Sequence, residues 1–278
     1  MAPRPRIELR KLLFVLPNLF TVSSIFCGFY AITLCVGEAS GEQLYRAALL
    51  IFFATFFDAF DGRVARLTRT QSEFGMHLDS LADVVSFGVA PGLLAYKWGL
   101  APLGTTGVLL AFIFPACGAL RLARFNVLAS REGPHHAPSA FFVGLPIPVA
   151  AAMLISLVIA HHKHFGRAVI HHYWVGLLVV GLGLLMVSNV RFRTFKDVGF
   201  SRKSALVFLL ILAAGVMVAT RARASFALVG YVGAYVVLGL VEELYRQSKA
   251  LRRRGEDESA EEDEEDLLPA EEDEEVYS

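Results

Sequence analysis

The sequence predicts an all-α, polytopic membrane bundle of about eight transmembrane helices. Three observations carry that expectation. Hydrophobic residues fill 55% of the 278 positions, above the roughly 45–50% of a soluble domain. They gather in runs, several of them near the length of about 20 residues that crosses a hydrocarbon core. Lys and Arg fall between the runs with an alternating bias, as they do in membrane proteins.

The predicted spans lie near 13–36, 44–62, 80–96, 105–123, 141–161, 173–189, 204–220 and 225–244. The first follows a basic start, Arg4 to Lys11, and its apolar stretch runs from Leu12 to Val36. A cleavable leader has an apolar region of only about 7–15 residues, so an uncleaved anchor is expected. Alternate loops and both ends carry 20 Lys and Arg on one side against 6 on the other. By the positive-inside rule both termini are cytoplasmic, which requires an even number of spans. Pro146 and Pro148 are expected to break the fifth span.

The domain reading follows. Residues 1–12 form a basic cytoplasmic start, 13–245 the membrane domain, and 246–278 a basic, then acidic, cytoplasmic tail expected to be disordered. Of the 26 acidic residues, 14 lie in 256–278, where there is no Lys or Arg. Such a segment is expected to be disordered. The remaining chain is strongly basic, with its cations placed where anionic headgroups lie. Cys27, Cys35 and Cys117 sit in apolar runs without metal-ligand spacing, which argues against a disulfide framework or a zinc site.

Asp58, Asp61, Asp79 and Asp83 stand where a membrane helix should not have carboxylates. On insertion scales each costs at least about 2.5–3.5 kcal/mol inside a span. Asp58 and Asp61 are three apart, Asp79 and Asp83 four apart, so each pair shares a helix face. A short basic loop, Leu67–Phe74, lets the two helices face each other. Four clustered anions repel and would be driven to protonate unless a cation joins them. Hard oxygen ligands suit Mg²⁺ or Mn²⁺. The bland alternative pairs these aspartates with Arg63, Arg66 and Arg69.

The full string decides against it. It reads D-x-x-D-G-x-x-A-R, eight residues, then G-x-x-x-D-x-x-x-D, fixed at Asp58, Asp61, Gly62, Ala65, Arg66, Gly75, Asp79 and Asp83. This resembles the signature of the CDP-alcohol phosphotransferase family. The resemblance implies that family's fold, a divalent metal cofactor and attack of an alcohol on a CDP-lipid. Asp58, Asp61 and Asp79 would ligate metal, and Asp83 would join a second metal position and act as general base. Gly62, Ala65 and Gly75 would form the flat surface under the cytidine nucleotide, and Arg66 would meet the diphosphate.

Further segments resemble the branch that makes phosphatidylserine. They are LPNLFTVSSIFCGFYAI from Leu16, DSLADVVSFGVAP from Asp79, ALRLARFN from Ala119, FVGLPIPVA from Phe142 and MVSNVRFRTFKD from Met186. The resemblance covers roughly 12–245 and implies CDP-diacylglycerol and L-serine as substrates, a bilayer environment, the cytoplasmic (inner) membrane and a homodimer. No nucleic-acid partner is expected. Arg121 and Arg124, three apart, are candidate contacts to serine or a lipid phosphate, with Ser86 and Asn126 as polar partners. His161, His162, His164, His171 and His172 crowd a loop on the far side, where a metal role has no supporting carboxylate nearby in sequence. Rival readings are a sister transferase using glycerol-3-phosphate, inositol phosphate or choline, and a cation transporter, whose path would need polar groups spread through the membrane.

Overall fold

In the computed structural model, residues 9–70, 72–132, 141–164, 172–193 and 224–265 are described. Helix α1 (Leu9–Leu34) and helix α2 (Gly41–Thr68) pack against each other in opposite directions along most of their length. Small buried residues of α2, Ala47, Ala48 and Ala54, allow this close approach. Ser40 starts α2 with a reciprocal cap: its hydroxyl accepts from the Gln43 N–H at 3.2 Å, and the Gln43 side chain accepts from the Ser40 N–H at 2.8 Å.

The reversal after α2 positions the acidic pairs. Arg69 takes a left-handed conformation (φ 54°), and its N–H caps α2 on the Ala65 and Arg66 carbonyls. Ser72 then caps helix α3 (Glu73–Asp83), accepting the Gly75 N–H at 3.0 Å. From α3 the rod continues through a π-helical turn (Val84–Val89), helix α4 (Ala90–Ala95), a second π-helical turn (Tyr96–Leu100) and a 3₁₀ turn (Ala101–Leu103). Pro91 brings no N–H and a bulky ring, and the wider turn upstream accommodates both.

Gly28 of α1 meets this rod. A Cβ there would lie 2.8 Å from the Ser86 Cα, so only glycine permits the contact. Helix α5 (Thr105–Glu132) packs on helix α7 (His172–Val187), and helix α6 (Ile147–His164) lies between α2 and helix α8 (Ala224–Glu265). Phe87, Leu94, Ile51, Leu154 and Ile155 form the shared core. Phe26, Phe29, Phe53 and Phe56 point outward, as lipid-facing side chains do.

The all-α membrane architecture is therefore present. Five described helices are long and apolar enough to cross a membrane: Leu16–Leu34, Glu73–Leu103, Thr105–Leu128, Ile147–His164 and Leu228–Arg246. The expectation of about eight is not reached among the described residues. Helix α2 carries Asp58, Asp61, Arg63 and Arg66 in its second half, and α7 has only 16 residues. The span expected at 204–220 lies outside the described residues.

Two expectations are corrected. The fifth span does not begin at 141. Phe141–Val143 forms strand β1, paired antiparallel with strand β2 (Arg191–Arg193), and α6 starts only at Ile147. Pro146 biases Leu145 away from helix, and two phenylalanines and a valine favour the strand. Pro148 then sits in the first turn of α6, where a missing N–H is harmless. The second correction concerns the tail. Helix α8 runs on to Glu265, so 246–265 is helical rather than disordered. Its Lys, Arg, Glu, Ala and Leu are strong helix formers, and basic residues four positions from acidic ones support a helix.

Candidate active site

The reversal between α2 and α3 brings three carboxylates together. One oxygen from each of Asp58, Asp61 and Asp79 lies within 4.8 Å of the other two. Asp83 is not in that tight group. It adjoins it from the end of α3, within electrostatic range of Asp58, Asp79 and Asp61. Asp79 Oδ1 and Asp83 Oδ1 are buried and have no hydrogen-bond partner among the described residues. Nor does any described carboxylate pair with Arg63, Arg66 or Arg69, so the ion-pair alternative has no support among the described residues. Clustered, half-buried to buried carboxylates with unused lone pairs and no paired lysine or arginine among the described residues are a donor set that fits Mg²⁺ or Mn²⁺.

An open cleft of about 690 Å³ leads to the cluster. Asp61 and Asp79 line it, together with Gly62, Ala65, Arg66 and Gly75. At Gly62 a Cβ would meet nothing within 4 Å, whereas at Gly75 it would press on the Ser72 hydroxyl at 3.2 Å. The Arg66 Nε–H donates to the Gly62 carbonyl at 2.9 Å, which holds the exposed guanidinium at the cleft.

The remaining candidates are divided. Arg121 is half-buried on α5, within electrostatic range of both Asp83 and Tyr235 of α8. Its Nε has no hydrogen-bond partner among the described residues. Asn126 donates to the Ser80 hydroxyl at 2.9 Å, beside Asp79. Arg124 is exposed and turns to the Asn189 side-chain oxygen at 2.9 Å. Ser86 is fully buried and donates to the Ser24 carbonyl at 3.0 Å, so its hydroxyl serves helix packing and does not line the cleft.

His161, His162, His164 and His172 lie away from the aspartates, where α6 ends and α7 begins. His162 sits 3.4 Å from a Glu42 carboxylate oxygen and stacks on Tyr45. The Trp98 indole N–H donates to His161 at 3.4 Å, and His172 lies 2.6 Å from the Gly99 carbonyl. His164 stacks on Phe226. His171 is outside the described residues. Cys27, Cys35 and Cys117 are free thiols.

Sequence reasoning missed the contribution of α1. Pro17, Asn18 and Thr21 form one wall of the cleft, and Thr21 donates to Asp61 Oδ2 at 2.7 Å. A threonine in an apolar helix ordinarily bonds its own preceding turn. Only the packing of α1 on α2 reveals the second acceptor.

The family model for CDP-alcohol phosphatidyltransferase matches residues 14–187. A protein of Helicobacter pylori (strain J99) named CDP-diacylglycerol–serine O-phosphatidyltransferase is 38% identical over 240 residues, covering 86% of this chain and 95% of the relative. A Bacillus subtilis protein of the same name is 35% identical over 181 residues, 65% of this chain and 91% of its own. One from Methanocaldococcus jannaschii is 39% identical over 149 residues, 53% of this chain and 64% of its own.

Proposed function

The chain belongs to the CDP-alcohol phosphatidyltransferase family, and on that footing we propose that it transfers the phosphatidyl group of CDP-diacylglycerol to L-serine. The observation that carries this reading is the convergence of Asp58, Asp61 and Asp79 at the end of a cleft floored by Gly62 and Gly75, in a chain whose relatives bear that activity in their names.

In this reading the CDP-lipid enters from the bilayer side, and its nucleotide lies over Gly62, Ala65 and Gly75. Arg66 meets the diphosphate. Asp58, Asp61 and Asp79 hold the divalent ion, with Asp83 contributing to a second position. The ion, Mg²⁺ or Mn²⁺, would neutralise the charge that develops on the diphosphate during displacement.

Asp83 accepts the proton of the serine hydroxyl. The serine oxygen forms a bond to the lipid-side phosphorus as the bond from that phosphorus to the CMP oxygen breaks. The electron pair leaves with CMP, and phosphatidylserine remains in the membrane. Serine carries one carboxylate, and Arg121, within electrostatic range of Asp83, is the cation proposed to receive it. Asn126, through Ser80, stiffens the same end of α3.

The transferase domain of this reading spans 13–245, with 1–12 and 246–278 as cytoplasmic extensions. The bias of 20 basic residues to 6 supports both termini and the site on the cytoplasmic face of the cytoplasmic membrane. Family resemblance supports a homodimer, which crosslinking in native membranes would test.

The deciding experiment supplies purified protein, CDP-diacylglycerol and Mg²⁺ or Mn²⁺ with serine, glycerol-3-phosphate, inositol phosphate or choline in turn. CMP release with serine alone supports the proposal. Release with another acceptor but not with serine overturns it.

A further inference from the structure

The three clustered aspartates differ in what stands behind them. Asp58 is backed by the carboxyl of Asp83, and Asp79 has a buried oxygen with no partner among the described residues. Asp61 is held by a donor, the Thr21 hydroxyl of α1. Asp61 and Thr21 are both buried, at 6% and 4% exposure.

Thr21 Oγ1 has one proton and two acceptors in reach. The Pro17 carbonyl lies at 3.2 Å and Asp61 Oδ2 at 2.7 Å. The shorter contact goes to the carboxylate, the stronger acceptor when ionised. Each carboxylate oxygen has two lone pairs, so this bond orients Asp61 without exhausting it as a ligand. Thr21 also belongs to the wall of the cleft, beside Pro17 and Asn18 and opposite Gly62.

We infer that Thr21 is a positioning residue for the divalent cation: its hydroxyl sets the rotation of the Asp61 carboxylate and ties the α1 wall of the cleft to the metal position. The inference rests on the proposed metal role of the aspartates. Groups that orient a metal ligand in this way typically change affinity by about 10–100-fold when removed. Threonine suits the task because its β-branched side chain has few rotamers, and the methyl packs while the hydroxyl points.

The test measures Mn²⁺ binding by the paramagnetic resonance of free Mn²⁺, on purified full-length protein without substrate. Wild type is compared with Thr21→Val, Thr21→Ala and Thr21→Ser. Melting in excess chelator reports the fold of each. Val and Ala are expected to weaken Mn²⁺ binding about tenfold or more, with melting in chelator near that of wild type. Ser, which keeps the donor, is expected to bind Mn²⁺ within a few-fold of wild type. CMP release by Thr21→Val should recover as Mn²⁺ is raised. Unchanged Mn²⁺ binding in Val and Ala overturns the inference and leaves the metal reading standing. Equal weakening in Ser and Val also overturns it, because the hydroxyl is then not the cause. Failure of wild type to bind Mn²⁺ overturns the metal reading and this inference with it.

Discussion

Ser86 donates its hydroxyl proton to the Ser24 carbonyl at 3.0 Å, and this bond clamps the π-helical turn after Asp83 onto α1. Ser24 in turn donates to the Ala54 carbonyl of α2 at 3.2 Å. Three segments that carry or wall the site are thus locked at one buried point. Gly28 adjoins it, with no room for a Cβ against the Ser86 backbone. Gly28→Ala should therefore push α1 away from the rod. Overpacking of this kind costs about 1–3 kcal/mol. A lowered melting temperature with reduced CMP release is expected, and a variant that matches wild type in both would show that the contact is loose.

Metal dependence is the second prediction. Chelation should abolish CMP release, and Mg²⁺ or Mn²⁺ should restore it, because the four carboxyls have no paired lysine or arginine among the described residues. Full turnover in excess chelator would contradict the role given to Asp58, Asp61 and Asp79.

Arg121 separates serine from its rivals. A hydrogen bond to a charged group contributes about 1.5–3 kcal/mol. Arg121→Gln should raise the KM for serine by about 10–100-fold and leave CDP-diacylglycerol binding nearly intact. If lipid binding falls while the KM for serine holds, Arg121 contacts the lipid phosphate instead.

Orientation gives the fourth prediction. A reporter fused after Ser278 should read as cytoplasmic, and one inserted within Gly37–Gly41 as external. The reverse pattern would put the site on the wrong side for a cytosolic acceptor. Removing Glu256–Ser278 should leave specific activity near wild type.

The parts legible in the sequence are those that periodicity and local chemistry govern. The spacing of Asp58, Asp61, Asp79 and Asp83 on two helix faces survives in the structure, as does the turn that joins them. What could not be read depends on distant contacts. Ser86, a candidate polar partner by sequence, donates to Ser24, far away in the chain. Arg124 shares a face with Arg121 but finds Asn189. Thr21 gave no signal, because only the packing of α1 on α2 brings it to Asp61. The start of α6 was misplaced because the β1–β2 pairing joins segments on either side of two helices.

The central claim is that Asp83 accepts the serine proton at a site the other aspartates build. The most direct measurement is labelled serine entering lipid, in wild type and Asp83→Asn, with CDP-diacylglycerol binding measured beside it in the presence of metal. The amide keeps the size and one oxygen but is a poor proton acceptor, and positioned acid–base groups contribute about 10²–10⁴-fold to rate. The account predicts that Asp83→Asn loses turnover by that order yet still binds the CDP-lipid, whereas Asp58→Asn loses both. Near-wild-type incorporation of serine by Asp83→Asn, or loss of lipid binding as complete as in Asp58→Asn, would contradict it.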